Sequence, residues 1–279
     1  MQSSNGLMSG FARPGKALIG LMVVVTTLWL MFAVGLNWGG APTSVFFLLT
    51  GDTKAILHGE VWRLLTAPLL HTPSGGNSVW HLISALLGLY IFAPRLEASW
   101  GGSRLLRFIA ITSIVAYTLQ MLVELVVPAQ LGARLVGPNW YGLDPAIAAI
   151  AIAWACTYKG ETVNLLFLGP VSGRTLILVV LGFALLRLAA ANQPEEGLLS
   201  PFFGMLVGWG IGGGTPSPLR KAWLKLRLAQ LEGRQGKATG SSRSSGPRKP
   251  RPNPGGLRVI PGGRSEDDDD KGPDGRWLN

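Results

Sequence analysis

Long apolar stretches almost free of charge dominate this chain. They lie near 17–36, 79–94, 105–127, 145–158, 175–191 and 198–213. A bilayer core takes roughly 20 apolar residues per crossing helix, and the first and third stretches reach that length unaided. The others need loop residues, or burial among neighbours, to complete a crossing. Inside lipid no water bonds the backbone, so a spanning segment must satisfy its N–H and C=O groups internally, and helices are the form that fits here. With 48% hydrophobic and only 14% charged residues, the expectation is an all-α membrane protein with six transmembrane helices.

Basic residues set the expected orientation. Arg13 and Lys16, then Arg95, Arg104 and Arg107, then Lys159 and Arg174 fall in alternate loops. The opposite loops hold few: Lys54, Arg63 and Arg134. The tail beyond residue 214 adds fourteen Lys or Arg and seven Asp or Glu, +7 of the chain's net +10. Both termini are therefore expected in the cytoplasm. Arg13 and Lys16 ahead of an apolar stretch look like the start of a signal peptide, but the stretch is too long and lacks a small-residue cleavage site, so an uncleaved anchor is expected.

The chain reads as a cytoplasmic N-terminus (1–16), a membrane domain (17–214), a basic juxtamembrane segment (215–232) and a tail (233–279). Gly, Pro, Ser and Arg dominate 233–264, and such a stretch buries too little apolar surface to fold, so the tail is expected to be disordered. Residues 219–228 read either as a short basic helix at the lipid headgroups or as a stop-transfer charge cluster. Leu257–Ile260 and Arg276–Asn279 are apolar islets suited to docking a soluble partner. The basic excess carries few aromatics for base stacking, so no nucleic-acid partner is expected. Cys156, the single cysteine, excludes an internal disulfide and is expected to pack as a small residue. His58, His71 and His81 are the only histidines; their spacing is loop-like and no carboxylate pair accompanies them in sequence, so neither a metal nor a cofactor is expected.

Residues 55–110 carry an ordered set of motifs. Trp62-Arg63 is followed by Leu65-Thr66-Ala67 and His71; His81 stands near the head of the second apolar stretch; Leu96-Glu97 and Gly101 turn into the third. This order resembles the rhomboid family of intramembrane serine proteases, and the resemblance implies a rhomboid-like six-helix bundle. In active members a histidine at the place of His81 and an asparagine four residues on help to hold the oxyanion; here the second position is Ala85. Gly204, Gly208 and Gly212 repeat at four-residue spacing along the last stretch. Small residues in that register let helices approach closely in lipid, as the fourth and sixth helices of the family do.

The same resemblance locates where the chemistry would be. Gly142-Leu143-Asp144-Pro145 stands where the family has Gly-x-Ser-Gly, and Pro201 stands at the position of the basic histidine when Gly204 and Gly208 are aligned. Serine hydrolysis needs a hydroxyl, a base and oxyanion donors; Asp144 and Pro201 supply none of them. Ser172-Gly173 and the pair His81 and Ser84 are the remaining serine candidates, and neither follows the family's catalytic order. An aspartyl site would need a second aspartate beside Asp144, and no other span holds one. Asp144 before Pro145 is expected to N-cap its helix. As an ionisable group at membrane depth it also calls for a partner. Arg187 is expected to pair with Asp144 or Glu124 across the former active-site funnel.

The expected function is that of a catalytically inactive rhomboid-like protein embedded in the lipid bilayer. It would bind transmembrane segments of other proteins as a chaperone, trafficking factor or adaptor. An active intramembrane serine endopeptidase with an atypical site is the alternative. A transporter or channel is a second, against which stand the few polar residues in the spans and the lack of an inverted repeat.

Overall fold

The computed structural model describes residues 13–76, 78–165, 169–190, 195–214 and 216–240. The chain divides into two compact units, 1–228 and 229–279. The first begins with α1 (Lys16–Asn37), three short helices α2 (Thr43–Phe47), α3 (Thr53–Leu57) and α4 (Arg63–Thr66), and a 3₁₀ turn at Ala67–Leu69. The long helices α5 (Ser78–Trp100) and α6 (Gly102–Val126) follow, then α7 (Ala129–Leu135), α8 (Asp144–Thr157), α9 (Gly173–Ala189), α10 (Ser200–Gly212) and α11 (Pro218–Gly240).

A helix thus stands at each of the six apolar stretches, but they differ in reach. Among the described residues, α1, α5 and α6 are long and apolar enough to cross a membrane. Helices α8, α9 and α10 have 14, 17 and 13 residues. At about 1.5 Å per residue all three fall short of a roughly 30 Å hydrocarbon core.

Alanine explains how these short helices come together. Helix α8 is apolar on every face, and such a helix belongs inside a bundle. Ala146, Ala148, Ala149, Ala151, Ala153 and Ala155 are all buried along it, with α5, α6, α9 and α10 packed around. Helix α10 meets it most intimately. A Cβ added to Gly204 would fall 2.1 Å from the Pro145 carbonyl oxygen, and one at Gly208 would fall 2.5 Å from Ala149 Cα. The two backbones touch, so these positions accept only hydrogen. Helix α9 is held more loosely and buries only Gly173, Leu176 and Ala184.

The motif residues act as braces. Glu97 is buried near the end of α5 and accepts the first backbone N–H groups of α1: Gly15 at 2.8 Å, Ala17 at 3.0 Å and Leu18 at 3.3 Å. Those groups have no partner within their own helix, so one carboxylate ties the start of α1 to α5. Gly101, at φ +84°, makes the turn into α6. Arg63 is also buried. It donates to the Phe47 and Thr50 carbonyls at 2.5 and 2.8 Å and to Glu60 at 2.6 Å, drawing α2, α3 and α4 into one unit. Trp62, its neighbour, is half-exposed.

Two features depart from the sequence reading. A two-stranded antiparallel hairpin, β1 (Thr162–Leu165) with β2 (Gly169–Ser172), sits where an irregular loop was expected, so the fold is not purely helical. Its strands are too short for an alternating pattern to register. Helix α11 runs through the basic segment and on to Gly240, into the stretch read as disordered. Ala229-Gln-Leu-Glu232 are good helix formers that carry it past the expected boundary. The remaining tail, with both apolar islets, lies outside the described residues.

Candidate functional site

The site forms where the heads of α5, α8 and α10 meet the ends of α6 and α9. Gly142 opens the turn into α8 at φ +121°. Its N–H reaches the Ala67 carbonyl at 3.0 Å and its own carbonyl accepts the Tyr117 hydroxyl at 2.8 Å. A side chain here would be strained and would also meet Glu196 at 2.8 Å.

An ionic chain crosses this mouth. Arg187 donates from Nη1 to Asp144 Oδ2 at 2.8 Å and from Nη2 to Glu196 Oε2 at 3.1 Å. Glu196 presents its other oxygen, Oε1, to His81 Nε2. The planar guanidinium fork suits this double engagement, and a charge at this depth is stable only when so paired. Beside Glu196, the Glu195 carboxylate accepts the Thr72 hydroxyl at 3.3 Å, and Thr72 and Tyr141 link hydroxyl to hydroxyl at 2.6 Å. The His71 ring lies 5.0 Å from that of His81. Both His71 nitrogens and His81 Nδ1 are buried, and none makes a well-formed hydrogen bond among the described residues, the His71 ring having only a loose contact with the Leu69 backbone.

Burial governs the titration of the loop groups. It depresses the His71 imidazole to about 4, helped by the charge of His81 and opposed by Asp144, so His71 is neutral at physiological pH. Burial and then Asp144 push the Glu196 carboxyl up, against the pull of His81 and Arg187. Tyr141 is pushed up to about 12, mainly by burial.

Alongside this mouth lies a cavity of about 260 Å³ lined by Asp144, Arg187 and Pro201 with apolar residues of α5, α8 and α9, among them Ile147, Val180 and Phe183. Asp144 and Pro201 both line it. Among the described residues no serine or threonine hydroxyl hydrogen-bonds a histidine ring. Ser84 donates to its neighbour's backbone, the His81 carbonyl, at 2.9 Å. Ser172 caps α9 by accepting the Thr175 N–H at 3.3 Å. Ser200 is buried and its hydroxyl has no hydrogen-bond partner among the described residues.

Residues 16–210 match the family described as "Eukaryotic integral membrane protein (DUF1751)". The chain belongs to this family. It is also similar to the "Putative rhomboid protease YdcA" of Bacillus subtilis, 30% identical over 97 residues, which are 34% of this chain and 44% of that protein. The chain thus matches less than half the length of that relative. An integral membrane family agrees with the apolar helices α1, α5 and α6.

Within this family member the sequence-predicted residues divide. Asp144 and Arg187 come together. Glu124 does not join them; it engages the Thr53 hydroxyl, fixing α3 to α6. Asp144 is the first residue of α8 rather than its cap: Leu143 takes the cap position, and the carboxylate makes no capping bond. Attraction to Arg187 outweighs the local backbone. Sequence reasoning missed Glu195 and Glu196, which sit in a polar connection with no motif. The remaining signal was their place between Arg187 and Pro201, where a buried cation needs acids. Their arrival beside His81 also supplies the carboxylates absent from the histidines' sequence neighbourhood. His81, Glu195 and Glu196 each bring one ligand atom within 4.8 Å of the others.

Proposed function

We propose that this protein is a catalytically inactive rhomboid-like membrane protein that binds transmembrane segments of other proteins, as a chaperone, trafficking factor or adaptor. The observation that carries this reading is the cavity in which Asp144, already bound by Arg187, and Pro201 stand where a nucleophile and a base would be. Among the described residues Asp144 hydrogen-bonds no imidazole, and proline has neither an N–H nor a titratable group. The walls are apolar, and α9, which closes one side, is the least embedded helix of the group. A lipid-borne helix could therefore lie against α9 and reach the cavity from the side. In this reading the bundle crosses the bilayer six times, the short helices α8, α9 and α10 spanning a locally thinned membrane. Both termini are cytoplasmic, and the tail recruits a soluble partner.

Photo-crosslinking tests it. Phe183 on α9 is replaced by benzoylphenylalanine and the protein is co-reconstituted with defined single-span reporter segments. Adducts to the reporters are expected, and Val179→Trp, which fills the cavity, should abolish them. Adducts confined to lipid, or unchanged by the filling, contradict the reading. The similarity to a putative rhomboid protease favours a second reading, an intramembrane serine endopeptidase with an atypical site; reporter cleavage in the same vesicles would support it.

A further inference from the structure

The acidic and imidazole groups at the mouth do more than close an ion pair. Three carboxylates, Asp144, Glu195 and Glu196, face a single guanidinium, Arg187, which engages only the first and the last. Among the described residues the Glu195 carboxylate hydrogen-bonds only the Thr72 hydroxyl. Against these acids lie His71 and His81, whose nitrogens include three that are buried without a well-formed hydrogen bond. His71 is 1% exposed. An orphaned imidazole nitrogen in such a place is an unused ligand, and neutral imidazole with carboxylate is the donor set preferred by zinc and its first-row neighbours.

We propose that His71, His81, Glu195 and Glu196 form a binding site for one divalent transition-metal ion of the zinc class. His81, Glu195 and Glu196 already hold their ligand atoms within 4.8 Å of one another, so a cation near their centre reaches all three with small side-chain movements. His71, with its ring 5.0 Å from that of His81, completes a four-ligand shell. The ion takes the place of the direct His81–Glu196 contact and balances the surplus acid charge. Outer contacts hold the ligands in place, as metal sites require: Thr72, itself bonded to Tyr141, orients Glu195, and Arg187 holds the far oxygen of Glu196. Tyr117 is the other titratable group nearby, and its hydroxyl is committed to the Gly142 carbonyl. The ligands come from the loop before α5, from α5 itself and from the connection into α10, so the ion pins three segments that no backbone hydrogen bond joins as a set. This goes beyond the client-binding reading and does not depend on it.

The test uses full-length protein purified in detergent without a histidine tag. Equilibrium dialysis against Zn²⁺ followed by elemental analysis is expected to give about one tightly held ion per chain, as for a closed structural site. His81→Ala and Glu196→Gln should each remove it, while His58→Ala, at a histidine bonded only to the Lys54 carbonyl, should leave it. Because core variants can misfold, wild-type protein loaded with Co²⁺ provides a second readout: tetrahedral nitrogen–oxygen coordination in the visible spectrum, with X-ray absorption showing two imidazoles. Stoichiometry well below one, retention in both variants, or an octahedral aquo-type spectrum overturns the proposal and leaves a His81–Glu196 ion pair only.

Discussion

Replacing Gly204 with alanine isolates the feature on which the bundle's geometry rests. The added Cβ would sit 2.1 Å from the Pro145 carbonyl oxygen, 2.7 Å from its carbonyl carbon and 2.8 Å from its Cα. These are backbone atoms and cannot swing aside, so α10 must move off α8 by about an ångström to restore van der Waals contact. Overpacking of this kind costs about 1–3 kcal/mol. The intrinsic gain of alanine over glycine in a helix, about 1 kcal/mol, works in the other direction. The net expectation is destabilisation toward the upper part of that range once the Asp144–Arg187 contact beside Pro145 is also disturbed. Gly182→Ala is the matched control: it lies in α9 with nothing within 4 Å of the added atom, so only the propensity gain remains. Thermal unfolding in one detergent, followed by intrinsic tryptophan fluorescence, reads both. Gly204→Ala should lower Tm by several degrees and Gly182→Ala should hold or raise it. Equal shifts in the two variants would refute the claim that backbone contact sets the α8–α10 crossing.

Other outcomes follow from the braces. Arg187→Ala leaves the fully buried Glu196 and the half-buried Asp144 without their cation, a loss of about 3–5 kcal/mol; adding Asp144→Asn should recover part of the Tm, a coupling that a double-mutant cycle measures. Glu97→Ala strips three N–H groups at the head of α1 of their acceptor. It should cost about 2–3 kcal/mol and speed hydrogen exchange at Ala17 and Leu18 first. Arg63→Lys keeps the charge but loses the fork that reaches Glu60 and two carbonyls at once. Limited proteolysis should then cut earlier between α2 and α4 while α5 and α6 stay protected.

The helices were legible because burial in a membrane demands continuous apolar sequence, and each of the six stretches carries one. Arg63, Glu97 and Gly101 stood out in sequence because braces and tight turns tolerate few residue types. Arg187 and Asp144 drew attention by being charged at helix ends that should be apolar. Glu196 escaped because an acid in a polar connection looks solvated, and only the fold shows it with a side chain fully removed from solvent. The gathering of His71 and His81 with Glu195 and Glu196 escaped for the same reason: residues 71–81 and 195–196 are joined by topology, not spacing. The hairpin at Thr162–Ser172 was invisible because four-residue strands show no period.

The proposed function requires that no serine hydroxyl in this bundle be activated for attack. Full-length protein in vesicles is treated with a fluorophosphonate probe and, in parallel, with a single-span substrate. No labelled serine and an intact substrate are expected. Labelling at any serine, abolished by alanine at that position and accompanied by cleavage, contradicts it.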